Sequence, residues 1–330
     1  MRSKIPLFLL LIIFSYDVQA QQKLPLSFNS KGDFKIVQFT DTHVDIPGKH
    51  NLEVFDIIRS VIELERPDLI VLTGDVVTQD DPKEAFQLFE DLFAGLDLPW
   101  VVAFGNHESQ HNAGRREVAA FLAEFPNCLN DDQEEAYGNS NFVLPVTGEQ
   151  SKEEALIYIM DSNNRSTLKP QVDGYGWFDF SQVQWYREMS KRFTQNNGGI
   201  ALPALAFFHI PLPEYSQAWN NKIHPPVGVK NEQECSPEIN TGMFAAMLEA
   251  GDVMGTFVGH DHINDYIGVH HGLALGYGRV TKIMKNPDED PLAGGRVIVM
   301  KKGKREFETW IRDMNGVKEL ECNWPGEFGD

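Results

Sequence analysis

Imidazole, carboxylate and amide side chains recur along this chain in a fixed order, each cluster directly behind an apolar run. Asp41 and His43 stand in FTDTHVD, Asp75 in LTGD, Asn106 with His107 and Glu108 in FGNHE, His209 in FFHIP, and His260 and His262 in VGHDH. Taken singly, a Gly-Asp turn, a lone histidine or a D-x-H behind a strand reads as ordinary turn chemistry. The ordered set points to metal. Oxygen and imidazole donors without thiolate suit iron, manganese or zinc and disfavour Cu(I). Asp41, His43, Asp75, Asn106, His209, His260 and His262 are too many donors for one ion that keeps open positions, and they suit two ions sharing a bridging carboxylate.

The elements that must position them follow from periodicity. Residues 34–39 read as a strand, and positions two apart on a strand point the same way, so Asp41 and His43 are expected to project together from its carboxyl end. Apolar residues at helical spacing over 52–65, ended by Pro67, precede a buried strand at 68–73. Pro82 opens a helix with Ala85, Phe86, Leu88, Phe89 and Leu92 on one stripe, and a third strand follows at 98–104. This order gives a parallel sheet under helices, with strand carboxyl ends on one edge, where open α/β sheets bind ligands. Further strands are expected at 155–160, 204–208 and 253–258, helices at 181–192 and 239–250, and a strand-rich last third at 266–269, 273–275, 296–300 and 305–311. Residues 126–140 and 212–238 read as long loops.

Charge and leader narrow the class. A formal net charge of −19 over 330 residues disfavours attraction to nucleic acid or anionic membranes. Arg2 and Lys4, a largely apolar run over 5–14 and the small-residue site Val18-Gln19-Ala20 read as a secretory signal peptide over 1–20. That run covers about half of the ~20 residues a spanning helix needs, so no stable membrane anchor is expected. Residues 21–330 then form one secreted or periplasmic domain, with no linker, charge block or repeat to divide it. Cys128, Cys235 and Cys322 allow at most one bridge, with all three pairings open, and their spacing is not that of a zinc ribbon.

In order, D-x-H, G-D, G-N-H-E, H and G-H-x-H resemble the signature of the calcineurin-like metallophosphoesterases, over about residues 34–265. The resemblance implies an α/β sandwich with central mixed sheets flanked by helices, a core over about 34–312 and a metal site at strand carboxyl ends. It implies that Asp41, His43 and His262 hold one ion, that Asn106, His209 and His260 hold the other, that Asp75 bridges them, and that His107 is a catalytic histidine outside the ligand set. Two such ions lower the pKa of a shared water, orient the hydroxide toward phosphorus and neutralise phosphoryl charge. His107 would stabilise that charge or protonate the leaving oxygen, a step typically worth about 10²–10⁴-fold. Hydrolysis of phosphate monoesters, on a small molecule or a protein, is the expected reaction. A phosphodiesterase acting on nucleotide or lipid-type diesters is the alternative. A binding protein that has lost catalysis would be marked by a missing ligand or a missing His107, and neither is missing.

Residues 174–177, 208–214, 240–242 and 251–253 resemble the smaller purple-acid-phosphatase-like branch of that family. Thr78 stands where purple acid phosphatases carry the tyrosine of G-D-x-x-Y, and D-T-H replaces their D-x-G, so tyrosinate colour is not implied. Glu108 or Asp45 could orient His107 or could be a turn carboxylate without a direct role. His270-His271-Gly272 reads as a hairpin turn, Tyr175 and Trp177 as packing, and His111 and His224 as either pocket-lining or solvated loop residues.

Overall fold

The computed structural model describes residues 24–110, 112–132, 136–286 and 291–328. The leader expected at 1–20 and His111 lie outside the described residues. No helix among the described residues is long and apolar enough to cross a membrane.

Strands β1 (Asp33–Phe39), β2 (Leu69–Leu72) and β3 (Trp100–Val102) are parallel neighbours, joined through helices α1 (Val54–Glu65) and α2 (Lys83–Ala94). The sheet does not stay parallel. On the other side of β1 lies β10 (Gly294–Lys301), antiparallel to it, followed by the antiparallel β11 (Phe307–Asp313) and β12 (Lys318–Trp324). The second sheet has a parallel centre of β5 (Glu153–Ile159), β6 (Ala204–Phe207), β7 (Val253–Val258) and β9 (Leu273–Tyr277). Its edges are antiparallel, β4 (Phe142–Thr147) beside β5 and β8 (Ile267–His270) beside β9.

Strand alternation explains how the sheets stack. Phe34 and Ile36 on β1, with Leu69 and Val71 on β2, pack in one cluster with Leu205, Phe207 and Phe257 from the other sheet. Val37, Phe39, Ile70 and Leu72 face the opposite way, against Ile58, Val61, Phe86 and Phe89 of the covering helices. On the far face of the second sheet, Tyr158 and Ala206 meet Trp185 and Tyr186 of α4 (Phe180–Asn196) and Phe244 and Met247 of α6 (Met243–Ala250). The layers therefore run helix, sheet, sheet, helix, as both faces of each sheet are buried. The buried Gln38 amide joins the two sheets at one edge, donating to the Thr73 hydroxyl at 2.8 Å and to the Val258 carbonyl at 2.9 Å.

The sheets are mixed, as the family resemblance implies: the parallel run of β1 to β3 is joined by β10 to β12, which return on the open side of β1. Other elements differ from expectation. Helix α3 (Arg115–Glu124), the short α5 (Tyr215–Trp219) within the 212–238 loop, and strands β4 and β12 were not foreseen. Both strands are sheet edges, where Pro145 and the charged residues of Lys318–Trp324 are tolerated and weaken the apolar alternation. The helix expected from 239 starts at Met243. Before it, the Asn240 side chain accepts the Gly242 N–H at 2.9 Å and Gly242 takes φ 89°, so the chain is in a turn.

Candidate metal centre

Asp41 and His43 do not continue β1. The strand ends at Phe39, and the two residues take left-handed φ of 55° and 45°, so period-two geometry is not what brings them together. Asp75 at 50° and His260 at 77° are left-handed as well. Each such position costs a non-glycine residue about 1–3 kcal/mol, and the surrounding chain has to impose it. Main-chain bonds do so. The Asp41 N–H donates to Gly74 at 3.2 Å, His43 to Asp75 at 3.0 Å, and Gly259 to His209 at 3.1 Å. Two glycines let these loops close. A Cβ on Gly74, itself at φ 83°, would lie 2.6 Å from the Gly105 nitrogen, and one on Gly259 would strike the Thr40 hydroxyl and the Asp41 carboxylate.

Each carboxylate has one oxygen anchored and one turned inward. Asp41 Oδ2 accepts the Thr40 hydroxyl at 2.8 Å and the His260 N–H at 3.0 Å. Its Oδ1 is buried without a hydrogen-bond partner, 3.3 Å from His262 Nε2 and 3.8 Å from His43 Nε2. Asp75 Oδ1 accepts the His107 N–H at 2.7 Å, while Oδ2 lies 3.2 Å from His209 Nε2 and 3.9 Å from His43 Nε2. His209 Nδ1 donates to the Thr73 carbonyl at 2.7 Å, which leaves Nε2 as the inward nitrogen.

The donors fit cations. Among the described residues four groups of side chains converge to coordinating distance: Asp41 with His43 and His262, Asp75 with His209 and His260, Asp75 with His43 and His107, and Cys235 with His260 and Asp261. His43 Nε2 and His262 Nε2 face each other at 3.3 Å, as do His260 Nδ1 and His209 Nε2 at 3.2 Å. Asn106 Oδ1 is buried and unpartnered. A buried polar atom left without a partner costs about 1–3 kcal/mol, so a cavity of converging lone pairs is explained by an ion that would satisfy them.

Electrostatics point the same way. Burial alone would raise the Asp41 and Asp75 carboxyls. His262 and His43 beside Asp41, and His209 beside Asp75, outweigh it and hold both well below the carboxylate range. Burial would lower His209, but Asp75 raises it to about 10. Burial and then His209 push His260 down to about 3, and burial lowers His43. The cluster thus keeps its carboxylates charged and His43 and His260 free of their second proton, while His209 carries a proton that a bound cation would displace.

Glu108 and Asp45 do not orient His107. Glu108 is fully buried and accepts three main-chain N–H groups, from Asp75 at 3.1 Å, Val76 at 2.8 Å and Gly105 at 2.7 Å, so it splices the GD turn to the GNHE turn. Asp45 accepts the Gly48 N–H at 3.0 Å within its own turn. The partner of His107 Nδ1 is Gln110 Oε1 at 2.6 Å, and His107 Nε2 points toward Asp75 Oδ2 at 3.7 Å. The i to i+3 spacing in HESQ was the one signal for Gln110. Thr78 donates to the His43 carbonyl at 3.3 Å, and Asn51 donates to the same oxygen at 2.8 Å. Tyr175 was read as packing, and it packs on the site itself, edge-on to His260 with ring centres 4.3 Å apart and under the Arg165 guanidinium at 4.5 Å. Trp177 lines an 800 Å³ cavity with Arg115 and Arg165. His270 ends β8, paired with Leu273, and His271 with Gly272 makes the hairpin turn to β9. His224 anchors its N–H on Asn221 at 3.1 Å, outside the converging groups. Cys128 and Cys322 are buried, Cys235 is half-buried, and none of the three forms a disulfide.

Known proteins resemble the chain. The sequence model of the calcineurin-like phosphoesterases matches residues 34–264. A protein of Arabidopsis thaliana named probable inactive purple acid phosphatase 29 is 34% identical, across 78% of this chain and 74% of its own length. Among solved structures, a dimetal phosphatase from Danio rerio superposes with a TM-score of 0.55 at 13% identity, covering 88% of this chain and 98% of its own. A purple acid phosphatase from yellow lupin gives 0.54 at 10% identity, covering 93% of this chain and 56% of its own. The two structures speak to the fold, and the Arabidopsis protein agrees with the purple-acid-phosphatase-like branch read from the sequence. With the family signature matched over that span, the chain belongs to the calcineurin-like phosphoesterase family.

Proposed function

We propose that the protein is an exported, dinuclear metal-dependent phosphoesterase that hydrolyses phosphate monoesters. Asp75 carries the reading: its Oδ2 stands 3.2 Å from His209 Nε2 and 3.9 Å from His43 Nε2, between two donor sets. Asp41, His43 and His262 would hold one ion and Asn106, His209 and His260 the other, with Asp75 shared. When bound, two cations supply Lewis acidity toward phosphoryl oxygens and a more acidic water. The protein's own residues supply the rest. His107 is not needed as a ligand, its side chain is 31% exposed, and Gln110 fixes its Nδ1, which leaves Nε2 to carry a proton to the leaving oxygen. Export rests on the leader read at residues 1–20.

The word inactive in the name of the Arabidopsis relative favours a second reading, loss of catalysis, in which this chain would be a binding protein that keeps the fold. Against it stands the full set of donors together with His107. The test is turnover by mature protein reconstituted separately with manganese, iron and zinc, on a panel of monoesters and diesters. Faster release of phosphate from monoesters supports the proposal, preference for diesters moves it to the phosphodiesterase alternative, and no turnover with any metal supports the binding protein.

A further inference from the structure

Beside the candidate centre lies a second cavity, of about 730 Å³, which shares His262 with it. Two cations, Lys282 and Lys285, line this cavity, with Asn51 on the side of His43. The chain places Lys282 firmly. Its neighbour Thr281 is buried and doubly tied to the residue before Asp41: the Thr281 N–H donates to the Thr40 carbonyl at 3.0 Å, and the Thr281 hydroxyl accepts the Thr40 N–H at 3.1 Å. Lys282 is half-buried, within electrostatic reach of Asp41 and Asp75, and Lys285, on the wall of the same cavity, is exposed.

In so acidic a protein, other cations have found carboxylates. Lys35 pairs with Glu65 at 3.3 Å, Lys301 with Asp33 at 3.1 Å, and Lys230 with Glu234 at 2.5 Å. Neither Lys282 nor Lys285 pairs with a carboxylate among the described residues. Glu232, the acid on the cavity wall among the described residues, accepts the Ile263 N–H at 2.8 Å. Lys282 as a counter-ion to Asp41 and Asp75 makes sense only while the centre lacks metal. With two cations in place the centre is net positive, and a half-buried ammonium beside it is unfavourable until an anion arrives.

We propose that Lys282, with Lys285 beyond it, is an anion subsite that selects phosphoesters carrying a second anionic group on the alcohol side. The inference rests on the phosphoesterase reading and deepens it. The scissile phosphoryl group would lie at the donors around Asp75, and the second group would extend past His262 to the lysines.

The test separates binding from turnover. Two non-hydrolysable probes, benzylphosphonate and 4-(carboxymethyl)benzylphosphonate, are titrated calorimetrically into the full metal-loaded protein, and a bis-phosphonate of the same length reads whether phosphate is met better than carboxylate. Wild type should bind the carboxylated probe about tenfold more tightly than the plain one. Lys282→Gln should erase most of that ratio, Lys282→Arg should keep it, and the exposed Lys285→Gln, which cannot disturb packing, should reduce it about threefold. The same ratios should appear in KM for 3-(4-phosphonooxyphenyl)propanoate against its methyl ester, whose leaving groups match. Equal binding of the two probes by wild type, or an equal loss for both in Lys282→Gln, overturns the subsite. Discrimination between the phosphonates without turnover of either ester upholds the subsite and sinks the hydrolytic reading instead.

Discussion

The Glu108 carboxylate accepts the main-chain N–H of Asp75 at 3.1 Å, while His107 beside it turns to Gln110. One glutamate thereby fixes the residue shared by both donor sets without touching any ion. Glu108→Ala should strand three buried N–H groups, each worth about 1–3 kcal/mol, and lower metal affinity about 10–100-fold, as loss of a group behind a ligand does. Thermal unfolding and metal titration of the variant check this, and unchanged affinity would refute the splice.

Asp75 and His107 differ in kind. Asp75→Asn removes a negative charge from between two cations, so elemental analysis should find metal lost. His107→Ala should retain both ions and lose about 10²–10⁴-fold in kcat on alkyl phosphates, whose leaving groups need a proton, and less on aryl phosphates. An emptied site in His107→Ala, or undiminished alkyl ester hydrolysis, contradicts the assignment.

Thr78 donates its hydroxyl to the His43 carbonyl, at the position where purple acid phosphatases carry their tyrosine. Iron-loaded protein should therefore lack a strong visible tyrosinate charge-transfer band. An absorption spectrum settles the matter.

Away from the centre, Glu65 joins α1 to β11. It accepts Trp310 Nε1 at 2.9 Å and Arg312 Nε at 2.7 Å, and it pairs with Lys35 at 3.3 Å. Burial would raise its pKa, but those three partners lower it from the ordinary 4.5. A carboxylate with a depressed folded pKa contributes stability above its unfolded value and loses it as pH falls through the folded one. Glu65→Gln should cost about 1.5–3 kcal/mol at pH 7, the range of a charged hydrogen bond, and the gap from wild type should close in acid below the glutamate range. Denaturant titrations at pH 7 and in acid measure it.

The ordered polar clusters made the candidate site legible because each follows an apolar strand, and strand ends are where this class of fold gathers its ligands. What the sequence hid was local and tertiary. Left-handed turns at Asp41 and His43 look like a strand in residue types alone. Glu108 reads as a catalytic helper until its three N–H partners are known, and Lys282 lies in a segment whose place is set by Thr281 pairing with Thr40, more than 200 residues away. Edge strands β4 and β12 escaped notice because proline and charge, which protect an edge, also blur its pattern.

Two ions should act together at Asp75. Metal-free protein should be titrated with manganese while phosphate release from an aryl monophosphate is followed. Turnover should rise to a break at two equivalents of metal per chain. A break at one equivalent, or silence at every metal ratio, would contradict it.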